Sequence, residues 1–458
     1  MRVLSSPESR VPNTQYPVKS QASSVPPQPV HESDWGLHRA SVKFLAPTYG
    51  VSHSVAGREK MAKNHIELRR KRYFKLSSQI AQLDNAQLHS LFNNSESNES
   101  STGWGINHVI VLGQSKVFVK RVPVTNIEYD NLFSTRNLYD LPTYCNYGFG
   151  STGFGVFREL VTHIKTTNWV LEGAMQESAV PFAERLRQEK AIATFPLMYH
   201  YRIIPFSGRR AAVDRSRLKD YVEYWGNSAN AGNYVVDRAN ANYELVLFIE
   251  HIPYVLETWL RENPNKLQKP LDDLRTTIDF LRMKGIIHFD AHFQNVLTDG
   301  EQIYLTDFGL VLDKSFTLTK DEESFFKQNT FYDYGEVLRN LGHLIRPSYD
   351  SCSENDKRRI MEKYGIKEGL QPYELRSILL DNIQQIHADG VMKLDEFYVA
   401  SIVKYRSIIA LMQDFFSDMW GNNKKDTKLD HAKLRLLLKE TGFVPDAEFH
   451  TQQIDSQL

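Results

Sequence analysis

One stretch in the second half of the chain, IIHFDAHFQNVLTDGEQIYLTDFGL, constrains the fold more than any other segment. It places Asp290, Asn295 and Asp307 among short apolar runs. One apolar pair leads into Asp290, another follows Asn295, and a third run precedes Asp307. Short strands joined by a polar turn bring their ends close together. We therefore expect these three side chains to lie around one cleft.

The order and spacing of the polar residues add a second constraint. His288 lies two residues before Asp290, Asn295 follows that aspartate by five residues, and an Asp-Phe-Gly triplet occupies 307–309. This arrangement resembles the catalytic and metal-binding loops of the protein-kinase-like superfamily, which read H-x-D-x-x-x-x-N followed by D-F-G. The resemblance implies a phosphotransferase that uses ATP and Mg²⁺.

The resemblance also implies a role for each of these residues. Asp290 would orient and deprotonate the acceptor hydroxyl, and His288 would hold the catalytic loop in place. Asn295 and Asp307 would bind Mg²⁺, a hard cation that prefers oxygen ligands. Phosphoryl transfer depends mainly on positioning and electrostatic stabilisation, so carboxylate and amide side chains are suitable residue types.

The implied fold is α+β with two lobes, a small β-rich N-lobe and a larger helical C-lobe. We predict a disordered N-terminal arm at 1–56, because a segment rich in Ser, Pro and Gln buries little apolar surface. A helical extension is predicted at 57–94. The N-lobe is assigned to 95–250, with a large insertion at about 173–242. The C-lobe is assigned to 251–458 and includes a helical C-terminal extension.

The predicted N-lobe should supply a lysine that contacts the phosphates of ATP, and Lys120 fits this role. It follows alternating apolar residues in the second strand of a predicted β-hairpin. Glu128 is our first choice for the carboxylate that pairs with this lysine, and Asp130 is the second. Gly103 and Gly105 precede the hairpin and are assigned to the loop that covers the nucleotide.

Two segments are candidates for the hinge that binds adenine through backbone groups. The run ELVLFIEHI comes directly before the helix that leads to Asp290, so we prefer Glu250–Ile252, with Glu250 and Ile252 as nucleotide-contacting residues. The alternative hinge follows VFRELVTH, which we otherwise assign to the fourth strand. The helix before Asp290 is predicted to begin at Pro270 and to end at Gly285.

Two further residues bear on the acceptor. His292 stands two residues after Asp290, where Ser/Thr kinases usually have lysine and aminoglycoside- and choline-type phosphotransferases commonly have histidine. Asp333 begins an amphipathic helix and is expected to bind the backbone of the catalytic loop. No A-P-E-like motif lies between Asp307 and Asp333. The part of the chain that binds peptide substrates in ordinary protein kinases is therefore expected to be reduced.

We expect a protein kinase that transfers the γ-phosphate of ATP to a Ser or Thr hydroxyl. The alternative is a small-molecule kinase of the aminoglycoside or choline type. A pseudokinase that acts as a scaffold is less favoured, because Lys120, Asp290 and Asp307 are all present.

Charge and cysteine content narrow the classes of partner. The chain has 55 basic and 55 acidic side chains, which excludes a bulk electrostatic grip on nucleic acid. A basic helix at 58–75 carries eight Lys/Arg and two Glu, and we interpret it as a solvated helix face. The alternative is that this helix or the N-terminal arm docks a partner protein. Two cysteines, no membrane-spanning apolar stretch and no secretory signal favour a cytoplasmic protein.

Overall fold

The computed structural model describes residues 55–98, 105–148, 153–173, 182–207, 213–421, 424 and 426–445, and all of them belong to one compact unit. Nearly all of the predicted arm and Gly103 lie outside the described residues. Among the described helices, not one combines the length and the apolar character needed to cross a membrane.

The described residues form an α+β structure with small antiparallel sheets. The strands are β1 Glu96–Asn98, β2 Ile106–Leu112, β3 Ser115–Val124, β4 Met198–Pro205, β5 Tyr243–Glu250, β6 Tyr254–Val255, β7 Ile286–Ile287, β8 Val296–Thr298, β9 Ile303–Leu305 and β10 Leu312–Asp313. The α-helices are α1 Val55–Ala81, α2 Asn85–Asn93, α3 Asn126–Asp130, α4 Val156–Glu172, α5 Phe182–Ala193, α6 Arg215–Tyr224, α7 Ala229–Ala239, α8 Leu256–Glu262, α9 Gln268–Met283, α10 Lys320–Gln328, α11 Tyr332–His343, α12 Ile345–Asp350, α13 Glu354–Tyr364, α14 Pro372–Asp381, α15 Ile383–Ala388, α16 Glu396–Gly421 and α17 His431–Glu440.

A five-stranded antiparallel sheet, with strand order β1-β2-β3-β5-β4, forms the main sheet. The predicted hairpin is confirmed as β2 and β3, which turn at Gly113 with a φ of +61°. A left-handed φ of this kind is adopted by glycine at little cost. Val117 and Val119 are buried on one face of β3, whereas Lys120 lies on the other.

The prediction that VFREL forms a strand is wrong, because these residues begin α4. Leu160, His163, Thr167 and Val170 are all buried in α4, and the spacing of three or four residues is helical. The alternative hinge is therefore excluded as well.

The assignment of 173–242 to one insertion is wrong in part. β4 lies inside this range and pairs with β5 at the edge of the main sheet. The material added between these two paired strands is α6 and α7, which pack against each other. The run PLMYHYRIIP is strand-like in the sequence, but its pairing with β5 in the main sheet was not predicted.

The helical part of the chain follows β5 and is built around α9, α11 and α16. α9 begins at Gln268, close to the predicted start at Pro270, and the chain leaves it at Gly285 with a φ of +73°. α11 packs closely on α16 because Gly335 has no side chain. A Cβ added there would lie 2.7 Å from the Met412 sulfur. The predicted helical C-terminal extension is confirmed by α12 to α17.

The predicted helical extension at 57–94 is confirmed as α1 and α2. Its interpretation as a solvated basic face is correct only for part of α1. The solvent reaches the side chains of Lys71, Arg72 and Lys75. By contrast, Arg69 is buried with 2% of its surface exposed, and the apolar residues Leu76 and Ile80 are buried as well. One basic side chain of the run therefore belongs to the protein interior.

Candidate active site

The predicted catalytic loop begins directly after β7. Phe289 has a φ of +63°, a left-handed conformation that a bulky residue adopts only at a cost of about 1–3 kcal/mol. Asp333, at the start of α11, accepts hydrogen bonds from the backbone N–H groups of His288 (2.7 Å) and Phe289 (2.9 Å). Burial raises the pKa of Asp333 to about 7, although these two donors oppose the shift. The predicted contact of Asp333 with the catalytic loop is confirmed.

Asp290 lies next to Asn295, as the sequence predicts. The Asn295 side-chain nitrogen donates to Oδ2 of Asp290 at 2.8 Å and to its backbone oxygen at 3.1 Å. The Nε2 atom of His292 lies 3.3 Å from the other carboxylate oxygen, Oδ1. The Asp290 side chain keeps 27% of its surface exposed, so solvent reaches it. Burial in the cleft raises the pKa of Asp290 despite the nearby His292.

The hydrogen bonds of His288 define its tautomer. The Asp290 backbone N–H donates to Nδ1 at 3.2 Å, so Nδ1 is the unprotonated nitrogen. Nε2 then carries the hydrogen and donates to the Thr306 carbonyl at 3.1 Å. Burial lowers the pKa of His288 to about 4, so the ring is neutral at physiological pH. These contacts suit a residue that joins the catalytic loop to the strand before Asp307.

Lys120 bridges two carboxylates. Its Nζ atom lies 2.7 Å from Oε1 of Glu159 and 2.9 Å from Oδ1 of Asp307. Burial works against the charge of the lysine, but the two carboxylates raise its pKa. Burial alone would raise the pKa of Asp307, yet Lys120 holds it at about 2. The lysine of the main sheet and the aspartate of the D-F-G triplet therefore meet as ionised groups.

Glu128 does not pair with Lys120, so this prediction is wrong. Its carboxylate forms a capping box with Thr125 and also accepts from the Val156 N–H (3.0 Å) and the Tyr234 hydroxyl (3.0 Å). These donors satisfy the carboxylate at the start of α3. Asp130, the second choice, ends the same short helix and has no recorded contact with Lys120 in the described part of the chain.

The true partner, Glu159, was missed because its segment was interpreted as a strand. It lies in the first turn of α4, 39 residues after the lysine. The buried pattern of α4, at helical spacing, is the sequence signal that could have identified it.

Phe308 connects α4 with the catalytic loop. Its ring makes edge contacts with His163 (centroid distance 4.8 Å) and with His288 (5.5 Å). Both ring nitrogens of His163 are buried without a hydrogen-bond partner. Burial, with a contribution from Lys120, lowers the pKa of His163 to about 3. Edge contacts between rings therefore connect α4 through the D-F-G triplet to His288.

The two predicted hinge residues lie between the main sheet and the helical part. Glu250 ends β5, and its backbone N–H donates to the Leu197 carbonyl at 2.7 Å. Its buried carboxylate is held by Arg69 of α1 at 2.7 Å. Ile252 is buried two residues later, before β6. The side chain and the backbone N–H of Glu250 therefore both have partners within the protein.

Glycines border the cleft at two places. A Cβ added to Gly105 would lie 3.6 Å from Cγ of Lys120 and 3.3 Å from the Arg121 carbonyl, so this glycine keeps the space beside the lysine open. Gly148 and Gly153 also border the site, although they were not predicted from the sequence. Both have positive φ values, and their Cβ positions would lie 3.6 Å from Oδ1 of Asp290 and 2.7 Å from the Gly309 oxygen respectively.

The predicted magnesium ligands fit an ion that is bound together with phosphate. Within the ranges described above, no group of three or more His, Cys, Asp or Glu side chains could enclose a metal ion. Mg²⁺ in kinase-type sites needs only one or two carboxylates, because waters and phosphate oxygens complete its coordination. Asn295 donates through its nitrogen and so keeps its amide oxygen as a ligand atom. Asp307 is ionised.

No protein-family model matches the chain, and no curated protein sequence matches it either.

Proposed function

We propose that the protein is an ATP- and Mg²⁺-dependent phosphotransferase with a two-lobed, kinase-like arrangement. The observation that carries this proposal is the contact of Lys120 with both Glu159 and Asp307. Three elements far apart in sequence, β3, α4 and the D-F-G triplet, supply these residues. A cation held between two carboxylates beside an aspartate–asparagine pair suits the binding of a metal-bound polyphosphate.

In this proposal each group has a distinct task. Lys120 neutralises phosphate oxygens, and Glu159 keeps the lysine in place. Asp290, whose burial raises its pKa, accepts the proton of the acceptor hydroxyl. Asn295 and Asp307 hold Mg²⁺, which neutralises charge on the phosphates when it is bound.

The acceptor that we propose first is a Ser or Thr hydroxyl of a protein. A specific observation favours a second candidate, a small hydroxyl compound. Gly148 lies against the Asp290 carboxylate, and the neighbouring Tyr147 is packed against Phe289, Phe325 and Tyr332 with ring distances of 5.1–6.0 Å. The chain thus places its own segment beside the base, where an extended peptide would need room.

We propose a cytoplasmic location on the basis of the cysteines. Cys145 and Cys352 are both free, as expected in a reducing compartment. A pseudokinase is disfavoured, because Lys120 contacts Asp307, whose charge in turn acts on Asp290.

The test is phosphate transfer from ATP labelled at the γ-position, with Mg²⁺, to the protein itself, to a generic protein substrate and to a mixture of hydroxylated metabolites. Asp290→Asn and Asp307→Asn should each abolish transfer. Asp220→Asn, which changes an exposed carboxylate on α6, should leave it unchanged. Labelled protein would support the first acceptor and labelled metabolite the second. Absence of both transfer and Mg-ATP binding in the wild-type protein would refute the proposal.

A further inference from the structure

Arg69 of α1 is buried at the point where β5 ends. Its Nε and Nη2 atoms donate to the Glu250 carboxylate at 2.7–3.1 Å. Nη1 donates to the Ala193 carbonyl at 2.9 Å, and Nη2 also donates to the Phe195 carbonyl at 2.5 Å. Every nitrogen of the guanidinium therefore has a partner. A planar fork of this kind binds a carboxylate in one orientation, which a lysine does not reproduce.

The same helix touches both the main sheet and the helical part of the chain. Arg70 donates to the Val170 carbonyl near the end of α4 at 3.0 Å. Arg202 of β4 donates to the carbonyl of Ala81, the last residue of α1, at 2.8 Å. On the other side, the Arg69 guanidinium lies 5.1 Å from the ring centroid of Tyr304 in β9, which leads to Asp307. α1 thus contacts elements on both sides of the β5–β6 connection.

The contact between Arg69 and Glu250 is a buried ion pair, so it depends on both charges. Both side chains are almost completely buried, with 2% and 3% of their surface exposed. A buried ion pair is strongly destabilised when one partner is removed, because the remaining charge is left without compensation. Glu250 also accepts from the Leu197 N–H at 3.2 Å, so the carboxylate joins α1 to the strand β4 as well. The direction of the chain from Glu250 to Ile252 therefore depends on Arg69.

We infer that Arg69 is a positioning residue for the nucleotide and that α1 completes the nucleotide site. This inference rests on the proposed function, since Glu250–Ile252 is the segment assigned to adenine. Arg69 touches the hinge and not the phosphates or the base Asp290. Its loss should therefore weaken the binding of Mg-ATP and leave the transfer step itself nearly unchanged.

The experiment compares Arg69→Gln with Lys71→Gln, a change that removes one positive charge from the exposed face of the same helix. Mg-ATP binding is measured by calorimetry, and hydrogen exchange is measured for the peptide covering 245–255 in the nucleotide-free protein. Arg69→Gln should raise Kd and KM for ATP about tenfold if the competent hinge falls to about a tenth of the population. It should also speed exchange in that peptide and keep kcat within about twofold, again because only the competent fraction changes. Lys71→Gln should match the wild-type protein.

Two additional variants keep the inference falsifiable if Arg69→Gln folds poorly. Arg69→Gln combined with Glu250→Gln removes both charges, so it should fold better than the single variant and still bind Mg-ATP more weakly than the wild-type protein. Arg69→Lys keeps the charge without the fork and should lie between wild type and Arg69→Gln. The inference is overturned if Arg69→Gln, or the double variant when the single one does not fold, binds Mg-ATP as tightly as the wild-type protein. If the wild-type protein binds no Mg-ATP, the proposed function fails and the nucleotide role of Arg69 fails with it. If the wild-type protein binds Mg-ATP but Arg69→Gln leaves hydrogen exchange at 245–255 unchanged, the role of Arg69 alone is overturned.

Discussion

Arg158 of α4 and Glu322 of α10 form a buried ion pair, with 2.7 Å between Nη2 and Oε1 and at most 1% of either side chain exposed. A second pair joins Lys165 of α4 to Asp313 of β10 at 2.5 Å. Both carboxylates follow the D-F-G triplet in the chain. Side chains of α4, the helix that carries Glu159, thus hold the segment between Asp307 and Asp333 at two places.

Glu322→Gln should destabilise the protein strongly. The change leaves Arg158 charged and buried without its partner, which typically costs about 3–5 kcal/mol. Glu323→Gln provides the matched control, because the neighbouring carboxylate is exposed. Urea unfolding measures both variants. Equal midpoints for the two would show that the buried pair adds nothing to stability.

Glu159→Gln and Glu128→Gln separate the true partner of Lys120 from the predicted one. Glu159→Gln should reduce phosphate transfer about a hundredfold, the order seen when one preorganised polar group of an active site is lost. Glu128→Gln alters a buried carboxylate that accepts from Thr125, Val156 and Tyr234, and should lower stability by about 1–3 kcal/mol. It should leave kcat close to wild type at a temperature where the variant is folded. Transfer assays and thermal unfolding measure the two effects, and the reverse assignment of the losses would contradict the contact seen for Lys120.

Asp333→Asn tests how the catalytic loop is held. An amide offers one oxygen to the two N–H groups that the carboxylate now accepts. One buried donor is then unsatisfied, which costs about 1–3 kcal/mol. We expect lower stability and slower transfer, because the left-handed backbone at Phe289 loses support. Asp321→Asn, on the exposed first turn of α10, is the control. Unfolding curves and kcat that match those of the control would refute this role.

The stability of His163→Leu should rise relative to that of the wild-type protein as the pH falls. The pKa of His163 drops from 6.5 to about 3 in the folded protein, so its contribution to stability is complete above pH 6.5 and is lost as the pH falls toward 3. At pH 5 the unfolded chain takes up the proton and the folded chain does not, a difference of about 2 kcal/mol. Leucine cannot take up a proton, so it removes this pH-dependent loss of stability, and it also removes two unpaired ring nitrogens. Urea unfolding of both proteins at pH 7.5 and pH 5 measures the change, and a gap that stays constant between the two values would rule it out.

The local features of the site could be predicted from sequence because short-range spacing encodes them. Asp290 meets Asn295, and Asp333 holds the backbone at His288 and Phe289, as expected, since each of these aspartates and Asn295 borders a short apolar run or begins a helix. Lys120 could be placed because alternation along β3 fixes which face each residue occupies.

Long-range features were harder to predict, for two physical reasons. VFREL suits a strand by its composition, and only its continuation to Val170 shows the helical spacing of its buried residues. Arg69 lies in a run of basic residues, and nothing local indicates which of them faces inward. Its partner, Glu250, is 181 residues away. A buried charge is specified by the position of its counter-charge, which a single sequence does not display.

The separation between Arg69 and Glu250 has a consequence for how the protein is made. α1 leaves the ribosome before β5 does, and the carboxylate that Arg69 needs is synthesised 181 residues later. At typical elongation rates of about 5–20 residues per second, that delay is roughly 10–40 s. Throughout this time the Arg69 guanidinium has no carboxylate partner with which it could be buried, so α1 stays exposed to water. Ribosome-bound chains that end before β5 should therefore leave α1 open to protease, and chains that include β5 and β9 should protect it.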